Sequence, residues 1–184
     1  NYTATLSDGT ILGYYYSYDE VYFCGAISTF AHVIVPNEIT IGSTTYDVTQ
    51  IGQYNLDQID LTKSPATKEL TFGNSITNIR SAIPVNVENI HFKSLTPPQL
   101  GESSYIPTTT IIWCPQSAYS SYQAESQDRY SEWYEKVIHY ENWTPKNVTV
   151  NVRSAGSFAN ELLKIINQWN EVNKLVVIGS LNDD

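Results

Sequence analysis

The chain reads as short apolar runs separated by polar turns. Tyr14, Tyr16 and Tyr18 alternate with Gly13, Tyr15 and Ser17, and Val21-Tyr22-Phe23 follows Asp19-Glu20. Aromatic and β-branched residues in such runs predict strands. With turns at Asp8-Gly9 and Asp19-Glu20, residues 1–35 predict a small antiparallel meander. Further runs recur at His32-Val33-Ile34-Val35-Pro36, Glu69-Leu70-Thr71-Phe72-Gly73, Asn89-Ile90-His91-Phe92-Lys93 and Thr110-Ile111-Ile112-Trp113-Cys114-Pro115. Aligning Leu70, Ile90 and Ile111 gives steps of 20 and 21 residues. A period in the low twenties is that of leucine-rich-type solenoids. Weaker runs lie between, at Ile39-Thr40, Val48-Thr49-Gln50-Ile51-Gly52 and Ile76-Thr77-Asn78-Ile79. Units this small cannot bury their own apolar side, so they must stack and share one core. Ile, Val and Thr stand where the usual leucines would, which makes the array irregular.

After Pro115 the pattern changes. Ser117 is placed to cap a short helix over Ala118–Ala124, and Val137-Ile138-His139-Tyr140 predicts a last strand. From Asn142 a new unit begins. Val148–Val152 alternates as a strand. Phe158, Leu162, Ile165, Ile166 and Trp169 share one helical face behind Ser157, and Lys174–Gly179 returns as a strand. The expected fold is therefore β-rich α+β. It comprises a short irregular leucine-rich-repeat solenoid over residues 1–144, with a β cap at 1–35, repeats at 36–115 and a terminal cap at 116–141. A β-α-β opening unit of a second, truncated repeat domain follows at 145–184. The chain opens at Asn1 and has no Met, so a mature product or a piece of a longer protein is expected. Its close on an apolar strand points to continuation beyond Asp184.

Composition narrows the function. Nineteen acidic residues face ten basic ones, for a formal charge of -9, with no Lys/Arg cluster. Nucleic acid, which is held by clustered cations, is not an expected partner. No run of eighteen apolar residues is present, so no membrane insertion is expected. Cys24 and Cys114 lie ninety positions apart; two separate thiols are favoured over a disulfide, which remains open.

Several stretches resemble the BspA-like leucine-rich-repeat proteins of bacterial cell surfaces. Val35-Pro36-Asn37-Glu38-Ile39-Thr40 resembles the strand end of their repeat. Gly42–Gly52 resembles an extended first repeat, and Ser75-Ile76-Thr77-Asn78-Ile79 a later one. Ile90–Gly101, with its Pro97-Pro98 turn, resembles a last repeat. Ile111–Pro115, Tyr119–Tyr122 and Trp133 resemble a terminal cap. The family's Ala-Phe turn is replaced by Tyr54-Asn55-Leu56 and Ser81-Ala82-Ile83. The resemblance implies an extracellular or bacterial cell-surface location and adhesion to matrix-type or plasma-type proteins.

Signatures of catalysis are missing: no glycine-rich phosphate loop, no nucleophile elbow, no H-E-x-x-H and no C-x-x-C. No catalytic residue, metal or cofactor is expected. His32, His91 and His139 all fall in predicted strands, and His91 matches Thr71 at a solvent-facing ladder place. Asp128, Glu132 and Glu135 have helical spacing, which a solvated cap explains. Trp113, Trp133 and Trp143 are read as packing residues. The ligand-binding candidates are Tyr14, Tyr16 and Tyr18, one face of a strand, together with His91 and Lys93. The tyrosines serve recognition or cover the open end of the stack. The expectation is a non-catalytic binding module for an extracellular protein. A glycan-binding module built on the tyrosines and a structural spacer are the alternatives.

Overall fold

A computed structural model describes residues 1–53, 57–102, 104–141, 146–152 and 172–179. The tyrosine-rich start forms three antiparallel strands, β1 (Tyr2–Thr5), β2 (Ile11–Ser17) and β3 (Glu20–Ile27). Between β2 and β3 the two loop residues are Tyr18 and Asp19, with φ of 53° and 62°. Two positive φ angles define a type I′ turn, whose twist matches the hairpin it joins. Asp19 stabilises it by accepting a 2.7 Å hydrogen bond from the Tyr16 hydroxyl.

Strands β5 (Glu38–Ile41) and β6 (Thr44–Ile51) form a second hairpin, and β6 joins β3 in parallel. The two-residue strands β8 (Asn78–Ile79) and β10 (Gln99–Leu100) extend this sheet in parallel, completing a seven-stranded mixed sheet. A second sheet has five strands in the order β12-β11-β9-β7-β4. These are β4 (His32–Ile34), β7 (Glu69–Phe72), β9 (Asn89–Phe92), β11 (Ile111–Pro115) and β12 (Val137–Glu141), and every neighbouring pair is parallel.

One core joins the two sheets. Leu12, Tyr14, Val21, Phe23, Val48 and Ile51 of the mixed sheet are buried with Val33, Leu70, Phe72, Ile90, Phe92 and Ile112 of the parallel one. Aromatic rings run through it: Tyr14 meets Phe23 at 6.1 Å, Phe23 meets Phe72 at 5.7 Å, and Phe72 meets Phe92 at 5.8 Å. Alternation along the strands places these residues inward.

The expected leucine-rich-repeat solenoid is corrected by this arrangement. The described residues build a β-rich fold of mixed and parallel sheets, with one short α-helix among them. The physical reason lies in residue type. Ile, Val, Thr and aromatic side chains favour a pleated surface, and antiparallel hairpins occupy one flank of the mixed sheet. The alignment of Ile111 is also one residue off. Ile90 pairs with Ile112, and Ile111 sits opposite Asn89. A slip of one residue moves a side chain to the other face.

The helix α1 (Tyr119–Gln127) follows a single 3-10 turn over Gln116–Ala118, and no side chain caps it, so Ser117 does not take that role. Its Tyr122 is buried, with the hydroxyl 2.7 Å from Ser94 Oγ, and Trp133 donates from Nε1 to the Pro98 carbonyl at 2.9 Å. Asp128 is the C-cap of α1 and residues 129–135 are turns and bends, so Asp128, Glu132 and Glu135 do not line a helix.

The chain divides into two compact units, Asn1–Glu141 and Asn142–Asp184. In the second, β13 (Lys146–Val152) and β14 (Val172–Gly179) pair in parallel. The helix expected behind Ser157, and Trp143, lie outside the described residues.

Candidate functional site

The outer face of the parallel sheet gathers all three histidines of the chain. Register places Ile34, Thr71, His91, Trp113 and His139 on one rung across β4, β7, β9, β11 and β12. The preceding outward rung starts with His32, Glu69 and Asn89. One step further on lie Lys93 and Glu141.

His91 is the hub. Its Nε2 lies 2.9 Å from Glu69 Oε1 and its Nδ1 lies 3.2 Å from Glu141 Oε2. His32 Nδ1 is 3.6 Å from the same Glu69 oxygen, and its Nε2 is 2.7 Å from Thr71 Oγ1. Thr71 is short, so the His32 and His91 rings approach to 6.1 Å above it. Trp113 stands between two imidazoles. Its ring stacks on His91 at 5.7 Å with planes 6° apart, and meets His139 at 4.9 Å. Its Nε1 donates to Asn89 Oδ1 at 2.9 Å.

Burial is the main cause holding the His32 pKa below the ordinary imidazole value; Glu69 opposes the shift, while His91 and Lys93 add to it. Burial also lowers the Lys93 pKa, against the pull of Glu141. Elsewhere, burial pushes the free thiols of Cys24 and Cys114 up to about 11, which leaves both as packing groups.

The order Thr71, His32, Glu69 resembles a nucleophile, a base and an orienting carboxylate. Thr71 is only 3% exposed, however, and sits beneath the two imidazoles. A substrate carbonyl has no approach to its hydroxyl in this arrangement. Among the described residues no group of three or more His, Cys, Asp or Glu is arranged to hold a metal ion.

The five sequence candidates separate. His91 and Lys93 belong to the ladder. The tyrosines do not form an exposed stripe. Tyr14 is 2% exposed, in the core, and Tyr16 packs between Tyr2 and Tyr46. Tyr18 projects from the turn at 96% exposure. Missed by sequence reasoning were His32, Glu69, Trp113, His139 and Glu141 as neighbours of His91. The only signal was the strand alignment itself, because β4 and β7 lie far apart in sequence.

Charge is also unevenly placed. Residues 1–141 hold fifteen of the nineteen acidic and six of the ten basic residues, and so carry the whole formal charge of -9. No helix among the described residues is long and apolar enough to cross a membrane. No family model matches the chain, and no curated protein matches it.

Proposed function

We propose that the chain is a non-catalytic, secreted or cell-surface module that holds a basic patch of an extracellular protein on the outer face of the parallel sheet. The observation that carries this reading is the ladder of Glu69, His91, Trp113 and Glu141 on one face of rigid strands. A central aromatic with polar groups around it is the composition of an interface hot spot. Charge complementarity selects the partner: the ladder carries Glu69 and Glu141 within a unit of formal charge -9. The location is supported by the resemblance of residues 35–40, 42–52, 75–79, 90–101 and 111–115 to BspA-like proteins.

The glycan alternative rests on fewer rings, since of the three tyrosines Tyr18 alone is well exposed. Sugars stack on a free aromatic face, yet the neighbours of Trp113 are imidazoles on both flanking strands, and Tyr14 and Tyr16 are packed.

Immobilised matrix and plasma proteins, probed beside a glycan array, test the reading. Saturable binding to a protein is expected. Trp113→Ala should weaken it by about tenfold or more, while Tyr18→Ala should leave it unchanged. Binding to sugars alone, or protein binding indifferent to Trp113→Ala, would overturn it.

A further inference from the structure

Resting on the reading above, we propose that the ladder is proton-gated: a basic partner and the imidazole protons compete for the carboxylates Glu69 and Glu141. The argument begins with valence. His91 has a carboxylate oxygen at each ring nitrogen, 2.9 Å and 3.2 Å away. A neutral imidazole carries one N–H and can donate to only one of them. The other carboxylate is then open to a cation from outside. Protonated His91 donates to both, and each carboxylate is engaged.

Every packed strand contributes to the balance. His32 stands on β4, Glu69 on β7, His91 at the centre of β9 with Lys93 just past its end, and His139 and Glu141 on β12; β11 adds the neutral Ile111 and Trp113 and the buried Cys114 thiol, whose pKa is raised by burial and by Glu141. Lys68 and Glu88 flank this group and pair with each other at 3.1 Å. With neutral imidazoles the ladder therefore has two carboxylates against one ammonium. Proton uptake by the three histidines turns that into an excess of positive charge. Imidazoles as a class change charge between about pH 5 and 8, and burial makes His32 the harder to protonate. Each proton that the partner must expel weakens binding by up to about tenfold per pH unit below the imidazole range.

A fluorescent decalysine peptide is the probe, titrated at about pH 7.5 and about pH 5.5 at one low salt concentration. The expected result is an affinity loss of about tenfold or more on acidification. His91→Gln should flatten that dependence, and the double change Glu69→Gln with Glu141→Gln should weaken binding at the higher pH. Glu132→Gln, remote from the ladder, serves as the control for general charge. Equal pH dependence in His91→Gln and the parent, or peptide binding indifferent to the Glu69/Glu141 pair, would overturn the gate. Should the variants fold poorly, the imidazole proton resonances of the unaltered chain decide: saturating peptide should move the His91 titration to lower pH, and no movement would overturn the proposal. The two readings fail separately. A gated peptide with no protein ligand removes adhesion alone; a protein ligand held equally at both pH values removes the gate alone.

Discussion

The two sheets of the first unit bury one face each against a common core, but their remaining aromatic and ionic residues do opposite work. On the mixed sheet, tyrosines meet tyrosines. Tyr15 lies 5.9 Å from Tyr22, Tyr2 lies 6.5 Å from Tyr16, and Tyr16 lies 4.8 Å from Tyr46. These rings satisfy one another and cover strands. On the parallel sheet a single Trp113 is set among three imidazoles and two carboxylates. On the mixed sheet Tyr2, Tyr16 and Tyr46 pack on one another, whereas on the parallel sheet the imidazoles and carboxylates share one outer face. Three histidines on one face carry more information than fourteen tyrosines spread through the chain.

The contrast is broken most severely by removing a ring from the core that the sheets share. Phe92 is fully buried, 5.8 Å from Phe72, 5.9 Å from Trp133 and 6.3 Å from Tyr122. Phe92→Ala should destabilise the first unit by about 3–5 kcal/mol, from lost burial and the cavity left behind. Tyr18→Ala, on the hairpin turn, should stay within about 1 kcal/mol, since the ring is exposed and alanine keeps the Cβ that sets the cost of positive φ. Denaturant titration compares the two. Similar losses would mean that the tyrosine turn contributes to stability as the core does. A smaller effect of opposite sign belongs to Tyr14, whose hydroxyl is buried with no hydrogen-bond partner among the described residues and whose pKa burial raises. Tyr14→Phe removes that orphaned group and should stabilise by about 1 kcal/mol; a loss of stability would show that the hydroxyl has a partner in solution.

These differences also explain what could be read from sequence. The strands at 69–72, 89–92 and 111–115 were legible because alternation and turn residues are local signals. The solenoid was not borne out, because periodicity alone does not say whether the segments between repeats form turns or strands such as β8 and β10. Tyr14 and Tyr16 were correctly placed on one face, but period two does not say which face is inside. Buried Leu12 and Val21 settle that. The ladder was half legible. His91 on β9 and Lys93 just past its end are two positions apart in sequence, whereas His32 and Glu141 reach His91 only through non-local parallel pairing. The thirty-seven positions from His32 to its partner Glu69 carry no recognisable spacing.

The gentlest test uses pH. The mixed sheet has no histidine, so any stability change in the imidazole range that follows a histidine substitution reports on the parallel sheet. His32 is the informative residue, because burial lowers its pKa in the folded chain. Folded His32 therefore binds a proton less readily than unfolded His32, whose pKa is about 6.5. Above that unfolded value both states are neutral and the group contributes nothing to the pH dependence. As pH falls from there toward the lower folded value, the unfolded state gains protons first and stability declines, levelling once the folded imidazole is protonated too. His32→Gln retains a polar group for Thr71 Oγ1 and removes the titration. Thermal midpoints of parent and variant should converge at neutral pH, apart from a constant offset, and the parent's should fall more steeply in acid. A parent midpoint that rises on acidification relative to the variant would mean that the Glu69 carboxylate, 3.6 Å from His32 Nδ1, outweighs burial. In that case the protonated ladder is the more stable form of the sheet.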